Sequence, residues 1–173
     1  MRTFAFLIIL AILPLAGCEP PGSQTPMPSP SQMKPPRQAR DMIEQRQMRE
    51  ADINELIFRD QFKELPSNLR EKVSFFFLSL DGKDPSDEFM KRFEGNDPPV
   101  KKESECVVSS LEGGQVQIKD KETDEEGVKF RVHVIFWKTP EKGEVEVSYY
   151  ASGQPASTRL YRISRDGDKW IVK

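Results

Sequence analysis

The sequence predicts an α+β domain: one long N-terminal helix packed on a curved antiparallel sheet. Three observations carry this expectation. A helix-forming stretch runs without Gly or Pro from Gln38 to about Leu65. The second half of the chain alternates apolar and polar residues with a period of two, and Gly, Asp and Pro punctuate the alternating segments. The length of 173 residues accommodates one such domain with appendages. Charged residues reach 31% and hydrophobic ones 36%, but the latter are gathered into patterned runs, which argues for a folded core rather than a disordered chain. With 26 Lys+Arg against 28 Asp+Glu the net charge is −2, so a strongly cationic nucleic-acid binder is not expected.

The chain begins with a short cationic start, Met1-Arg2-Thr3, and an unbroken apolar run from Phe4 to Leu13, closed by Pro14. Crossing a bilayer as a helix takes about 20 apolar residues, so this run reads as a signal segment rather than a transmembrane anchor. Leu15-Ala16-Gly17-Cys18 follows, with small residues suited to a peptidase cleft and a thiol able to accept a diacylglyceryl group. The pattern resembles the lipobox of bacterial lipoproteins. The resemblance implies cleavage between Gly17 and Cys18, lipid on Cys18, and a place in the cell envelope held by the membrane. By the sorting rule of enteric bacteria, Glu19 after the cysteine implies the outer membrane, facing the periplasm.

Residues 19–37 are dominated by proline, which lacks a backbone N–H and fixes φ, so a mobile tether of polyproline character is expected. It would reach roughly 60 Å at about 3.1 Å per residue. Next comes the helix. Ile53, Leu56, Ile57, Phe58, Phe62 and Leu65 recur at helical spacing in its second half, and Glu55 and Arg59 form an i,i+4 pair. In its first half only Met42, Ile43 and Met48 are large and apolar, so that part is expected to project as a solvated helix or to meet a partner or a second copy.

Val73–Leu80 reads as a strand closed by Asp81-Gly82. A short helix follows, with Asp84 as N-cap, Pro85 in its first position, Phe89, Met90 and Phe93 on its apolar face, and Gly95 at its end. Strands are then expected near Val100–Ser109, Gly114–Lys121, Gly127–Trp137, Gly143–Ala151, Ala156–Arg165 and Lys169–Val172. Gly113-Gly114, the acidic stretch from Lys121 to Gly127, and Asp166-Gly167 are expected to be turns, the last two joining hairpins. In the third strand Val128, Phe130, Val132, Val134 and Phe136 fall on one face, expected in the core. Lys129, Arg131, His133, Ile135 and Trp137 fall on the other.

The ending from Leu160 to Val172, a Tyr/aliphatic strand, a polar turn and Gly167-Asp-Lys-Trp170-Ile-Val, resembles the closing hairpin of cystatin-like domains, including the nuclear-transport-factor-like group. The resemblance implies a curved sheet wrapped on a helix and, in the latter group, a pocket between the two. The region from Asp84 onward is also similar to uncharacterised bacterial lipoproteins.

Few constellations invite chemistry. Asp81, Asp84 and Asp87 are three apart, whereas a calcium loop needs ligands at alternate positions, so they are expected to form turns and caps. His133 is the single histidine, and with Cys18 lipidated only Cys106 remains, so neither a zinc site nor another metal or cofactor is expected. Cys106 sits in a strand-like context as a small buried hydrophobe, with an intermolecular disulfide or a reactive thiol as alternatives. His133 with Tyr149, Tyr150 or Tyr161 could supply an acid/base pair, but a sheet-surface histidine is the simpler reading. Trp137 could form an exposed aromatic tip or pack at a sheet edge. The sequence therefore points to a lipid-anchored, non-enzymatic binding module whose partner is an envelope component. A ligand-binding or catalytic pocket of the nuclear-transport-factor type is the alternative.

Overall fold

The computed structural model describes residues 36–110 and 115–173. The signal segment, the Gly17–Cys18 cleavage and lipidation position, the tether up to residue 35 and the Gly113-Gly114 turn lie outside the described residues.

The fold is α+β: one main helix against a strongly curled, mostly antiparallel sheet. Helix α1 spans Arg37–Glu64 and buries Ile53, Ile57, Phe58, Gln61 and Phe62. Its first half is solvated, with Met42, Ile43 and Met48 exposed, and Leu56 also points outward rather than into the expected apolar face. Pro66 follows its end, and Arg70 of the short helix α2 (Ser67–Arg70) returns to donate to the carbonyls of Phe62 and Leu65 at 2.8 and 3.2 Å. These carbonyls have no partner within the helix, so the arginine acts as a C-terminal cap.

Strand β1 is Phe75–Leu80, followed by helix α3 (Asp87–Lys91) and strand β2 (Val100–Lys102). Ser86, not Asp84, is the N-cap of α3, accepting a hydrogen bond from the Phe89 N–H at 3.2 Å. Asp84 instead accepts from the Ser104 N–H, and Pro85 precedes the helix. A 3-10 turn at Glu103–Glu105 leads into β3 (Cys106–Ser110) and β4 (Val116–Asp120), then β5 (Gly127–Val132), β6 (Phe136–Thr139), β7 (Lys142–Ala151), β8 (Ser157–Asp166) and β9 (Lys169–Val172).

Among the described residues the main sheet has the order β2-β1-β5-β7-β8-β9, with β6 paired to β7 beside β5. The expectation of a wholly antiparallel sheet is corrected here: β1 runs parallel to both β2 and β5. The chain leaves β1, crosses through α3 on the same face as α1, and returns in the same direction. A crossover of this kind makes neighbouring strands parallel. The run Phe75-Phe76-Phe77-Leu78 suits such a strand, because it is covered on both faces. Gly127 lets β5 approach, since a Cβ there would collide with the Phe77 ring and lie 2.8 Å from the Phe75 carbonyl.

The Lys121–Gly127 stretch is not a hairpin within one sheet. Strand β4 pairs with β3 in a separate two-stranded sheet, and the loop passes the chain to β5 with one bridge, Lys119 to Glu126. The closing hairpin β8–β9 matches expectation, turning at Gly167 with φ 59°.

The main core lies between α1, α3 and the concave face of the sheet. Phe62 packs on Phe76 and Phe130 with ring centroids 4.6 and 5.1 Å apart, and Phe58 meets Phe89 and Phe93 edge-on. The expected alternation of the third strand fails beyond Val132. Val128, Phe130 and Val132 are buried, but the chain leaves the ladder at residues 133–135 and resumes with its faces exchanged. Ile135 is then buried at 8% exposure, whereas Val134 and Phe136 are 68% and 69% exposed. A slip of one residue carries every later side chain to the opposite face.

Candidate functional site

The convex face of the sheet divides into a covered half and an open half. The β3–β4 hairpin covers the first half, where Phe77, Cys106 and Ile118 form a second small core with Phe75, Val116 and Tyr150 at its margin. Cys106 is a free thiol in this core, and burial pushes it up from its ordinary value. That matches the small buried hydrophobe of the sequence reading.

Beside it lies a polar cluster that the sequence did not announce. Glu103 of the 3-10 turn accepts hydrogen bonds from Lys129 at 3.0 Å and Arg131 at 2.9 Å. Burial alone would raise the Glu103 carboxyl, but the Ser79 hydroxyl and the two cations hold it below its usual value. Ser79, Arg131 and Ser148 are cross-strand neighbours on β1, β5 and β7. Lys129, expected on the mixed face of its strand, is buried because the hairpin lies over it. The cluster ties the turn before β3 to the sheet. A second tie is Asp120, whose buried carboxylate accepts from Lys101 at 2.8 Å and from the N–H groups of Glu122 and Thr123. Burial opposes its ionisation, yet these donors hold it below the ordinary carboxylate range. The acidic stretch is thus a loop organised around one buried carboxylate.

The open half is formed by β6, β7, β8 and β9. Phe136 and Leu160 project from it, Leu160 at 58% exposure, and the exposed Val134 lies just before β6. A groove of about 620 Å³ runs alongside, lined by Lys138, Lys142, Glu144, Leu160, Arg162 and Lys173, among others. Phe136, Glu144 and Arg162 are aligned across three strands, and Arg162 exchanges backbone hydrogen bonds with Lys173 at 2.7 and 3.0 Å. Lys138 pairs with Glu144 at 2.5 Å, whereas Lys142, Arg162 and Lys173 have no ion-pair partner among the described residues. A second groove, of about 680 Å³, lies between α1 and α3 and includes Met48, Phe89 and Arg92.

The structure separates the residues considered for chemistry. His133 faces outward with its Nε2 3.8 Å from a Glu146 carboxylate oxygen. Tyr161 is buried on the concave side, where its hydroxyl donates to Asp60 at 2.9 Å and accepts from the Gln61 amide at 3.0 Å. Burial, with Asp60 alongside, pushes the Tyr161 phenol up. Tyr150 lies against Lys129, whose Nζ is 4.8 Å from its ring centre. Asp81, Asp84 and Asp87 serve a turn with φ 50°, the Ser104 N–H and the Lys102 ammonium respectively. Among the described residues no group of three or more His, Cys, Asp or Glu side chains is placed to hold a metal ion.

Trp137 is not an exposed tip. It packs edge-on against Trp170 at 5.6 Å and donates its indole N–H to Glu50 at 3.1 Å, fastening α1 to the β6–β9 end of the sheet. Its neighbour Phe136 is the exposed aromatic. No helix among the described residues is long and apolar enough to cross a membrane. The chain matches no protein-family model, no curated protein and no solved structure.

Proposed function

We propose that this chain is a lipid-anchored protein of the bacterial cell envelope, acylated at Cys18, whose α+β domain is a non-enzymatic binding module of cystatin-like design. Its partner is another envelope component. The anchoring reading rests on Leu15-Ala16-Gly17-Cys18 after the Phe4–Leu13 run. The favoured site is the outer membrane, with the domain facing the periplasm and residues 19–36 as its tether, since Arg37 already belongs to α1.

The binding reading is carried by one observation, the contrast between the two faces of the sheet. On the concave face, where a nuclear-transport-factor-like pocket would lie, Phe58, Phe62, Phe76 and Phe130 fill the space, with hollows of about 200 and 110 Å³ at its margins. On the convex face Phe136 and Leu160 stand exposed, Leu160 on the lining of the groove. Large apolar side chains kept in water beside a groove are a feature of contact surfaces.

Two measurements test this. Labelling with a fatty-acid analogue is expected to mark the wild-type chain and to vanish in Cys18→Ser; equal labelling of both would refute the anchor. A photocrosslinking residue at position 136 or 160 is expected to capture an envelope component in cells, while the same residue at Lys83 is not. Equal capture from all three positions would refute the binding face.

A further inference from the structure

We infer that the open β6–β9 face docks on an anionic phospholipid surface, so that the domain lies against the bilayer to which its lipid tethers it. The inference deepens the binding reading above by naming the component that the face meets. Four cations, Lys138, Lys142, Arg162 and Lys173, line one groove, where Glu144 pairs with Lys138, and Glu146 lies across the strands from Leu160. Against Glu144 and Glu146 the four cations leave a local positive surplus on a chain whose net charge is −2.

The apolar residues have the matching distribution. Phe136 and Leu160 rise from the strands that carry Lys138 and Arg162, which alternates apolar tips with cations instead of forming one dry patch. A flat apolar partner would strip water from Lys142 and Arg162 without supplying acceptors, which is costly. A headgroup layer supplies phosphate acceptors for the cations and admits the apolar tips to the acyl boundary beneath.

Position in the fold agrees. Arg49 of α1 donates to the Pro140 carbonyl at 3.2 Å, in the turn between Lys138 and Lys142. From there α1 runs back to Arg37, where the chain enters the domain. The chain thus enters the domain through the helix that touches the turn between two of the groove's lysines, and a tether from Cys18 would keep the domain within reach of the bilayer.

The test is sedimentation of the full chain with vesicles of phosphatidylcholine alone or with about 30% phosphatidylglycerol. Each Lys or Arg near such a surface contributes about fivefold to partitioning. Lys142→Gln with Arg162→Gln is therefore expected to lower binding to the anionic vesicles about 25-fold. Binding to phosphatidylcholine should be unchanged, which accounts for any uptake by the Phe4–Leu13 run. Lys83→Gln should leave both unchanged. Half-molar salt should remove the wild-type preference for anionic vesicles, a readout that needs no variant. Equal partitioning of wild type and double variant on anionic vesicles would overturn the inference. So would loss, in the double variant, of a crosslink to an envelope protein with vesicle binding intact, because the face would then dock a protein. Fatty-acid labelling of Cys18, read on the same chains, reports the anchor separately.

Discussion

The exchange of faces between Val132 and Phe136 can be tested with two neighbouring substitutions. Strict alternation would bury Val134 and expose Ile135, whereas the structure buries Ile135 and leaves Val134 in water. Ile135 joins the main core, and its Cγ2 would lie 3.2 Å from a Cβ added at Gly143, so the two strands pack closely there. Truncating a buried isoleucine to alanine costs about 2–5 kcal/mol. At this edge of the core the lower part of that range applies, about 2–3 kcal/mol, which would lower the melting temperature of a domain this size by roughly 6–12 °C. Val134→Ala removes atoms that are already solvated and should change stability by less than about 0.5 kcal/mol. Urea denaturation of the two variants beside wild type gives both values directly. A silent Ile135→Ala with a damaging Val134→Ala would refute the slip and would bring His133 back toward the interior.

Further outcomes follow from other packed sites. Phe130→Ala, which opens the centre of the phenylalanine cluster, should cost about 3–5 kcal/mol by urea denaturation, while His133→Gln should be nearly neutral. Gly127→Ala should lower the melting temperature because its Cβ would push β1 from β5; an unchanged melt would show that the strands can separate without loss. Glu103→Gln weakens the hold on Lys129 and Arg131 and should cost about 1.5–3 kcal/mol, with proteolysis or hydrogen exchange increasing first in the β3–β4 hairpin. Glu103 and Asp120 both have folded values below the ordinary carboxylate range. Their contribution is complete above about pH 5 and is lost as the pH falls through the lowered values, so urea midpoints should drop in acid, and less steeply in Asp120→Asn.

Local signals in the sequence sufficed for the elements whose stability is local. The Gln38–Leu65 periodicity locates α1 to within a residue at each end, and Asp166-Gly167 marks the final turn. Long-range arrangement was less legible. Phe75–Leu80 reads as a strand, but its parallel neighbours come from residues 100–102 and 127–132, and no local pattern encodes that pairing. The separation of β3–β4 into its own sheet was hidden for the same reason, and with it the burial of Lys129. Alternation failed where the chain stepped off the ladder, since Val134-Ile135-Phe136-Trp137 is apolar throughout and fits either register. The open face is illegible for the same reason: strict alternation puts Phe136 in the core, and the grouping of Lys142, Arg162 and Lys173 depends on a three-strand register.

The position of β1 between two strands that follow it in sequence bears on how the chain reaches its native state. Its hydrogen-bonding partners are all synthesised later, and the last of them, β5, completes at Val132. Strands β7, β8 and β9 are joined by near neighbours in sequence and can pair soon after they emerge, whereas β1 must wait for a long loop to close. α1 is delayed too, because its bed includes Trp137 and Trp170 near the C-terminus. A nascent or truncated chain ending before Gly127 carries Phe75–Leu80 without its β5 neighbour, an aromatic strand with a bare edge that favours self-association. Closure of the loops that bring residues 100–102 and 127–132 to β1, and residues 137 and 170 to α1, is therefore the slow part of forming this domain.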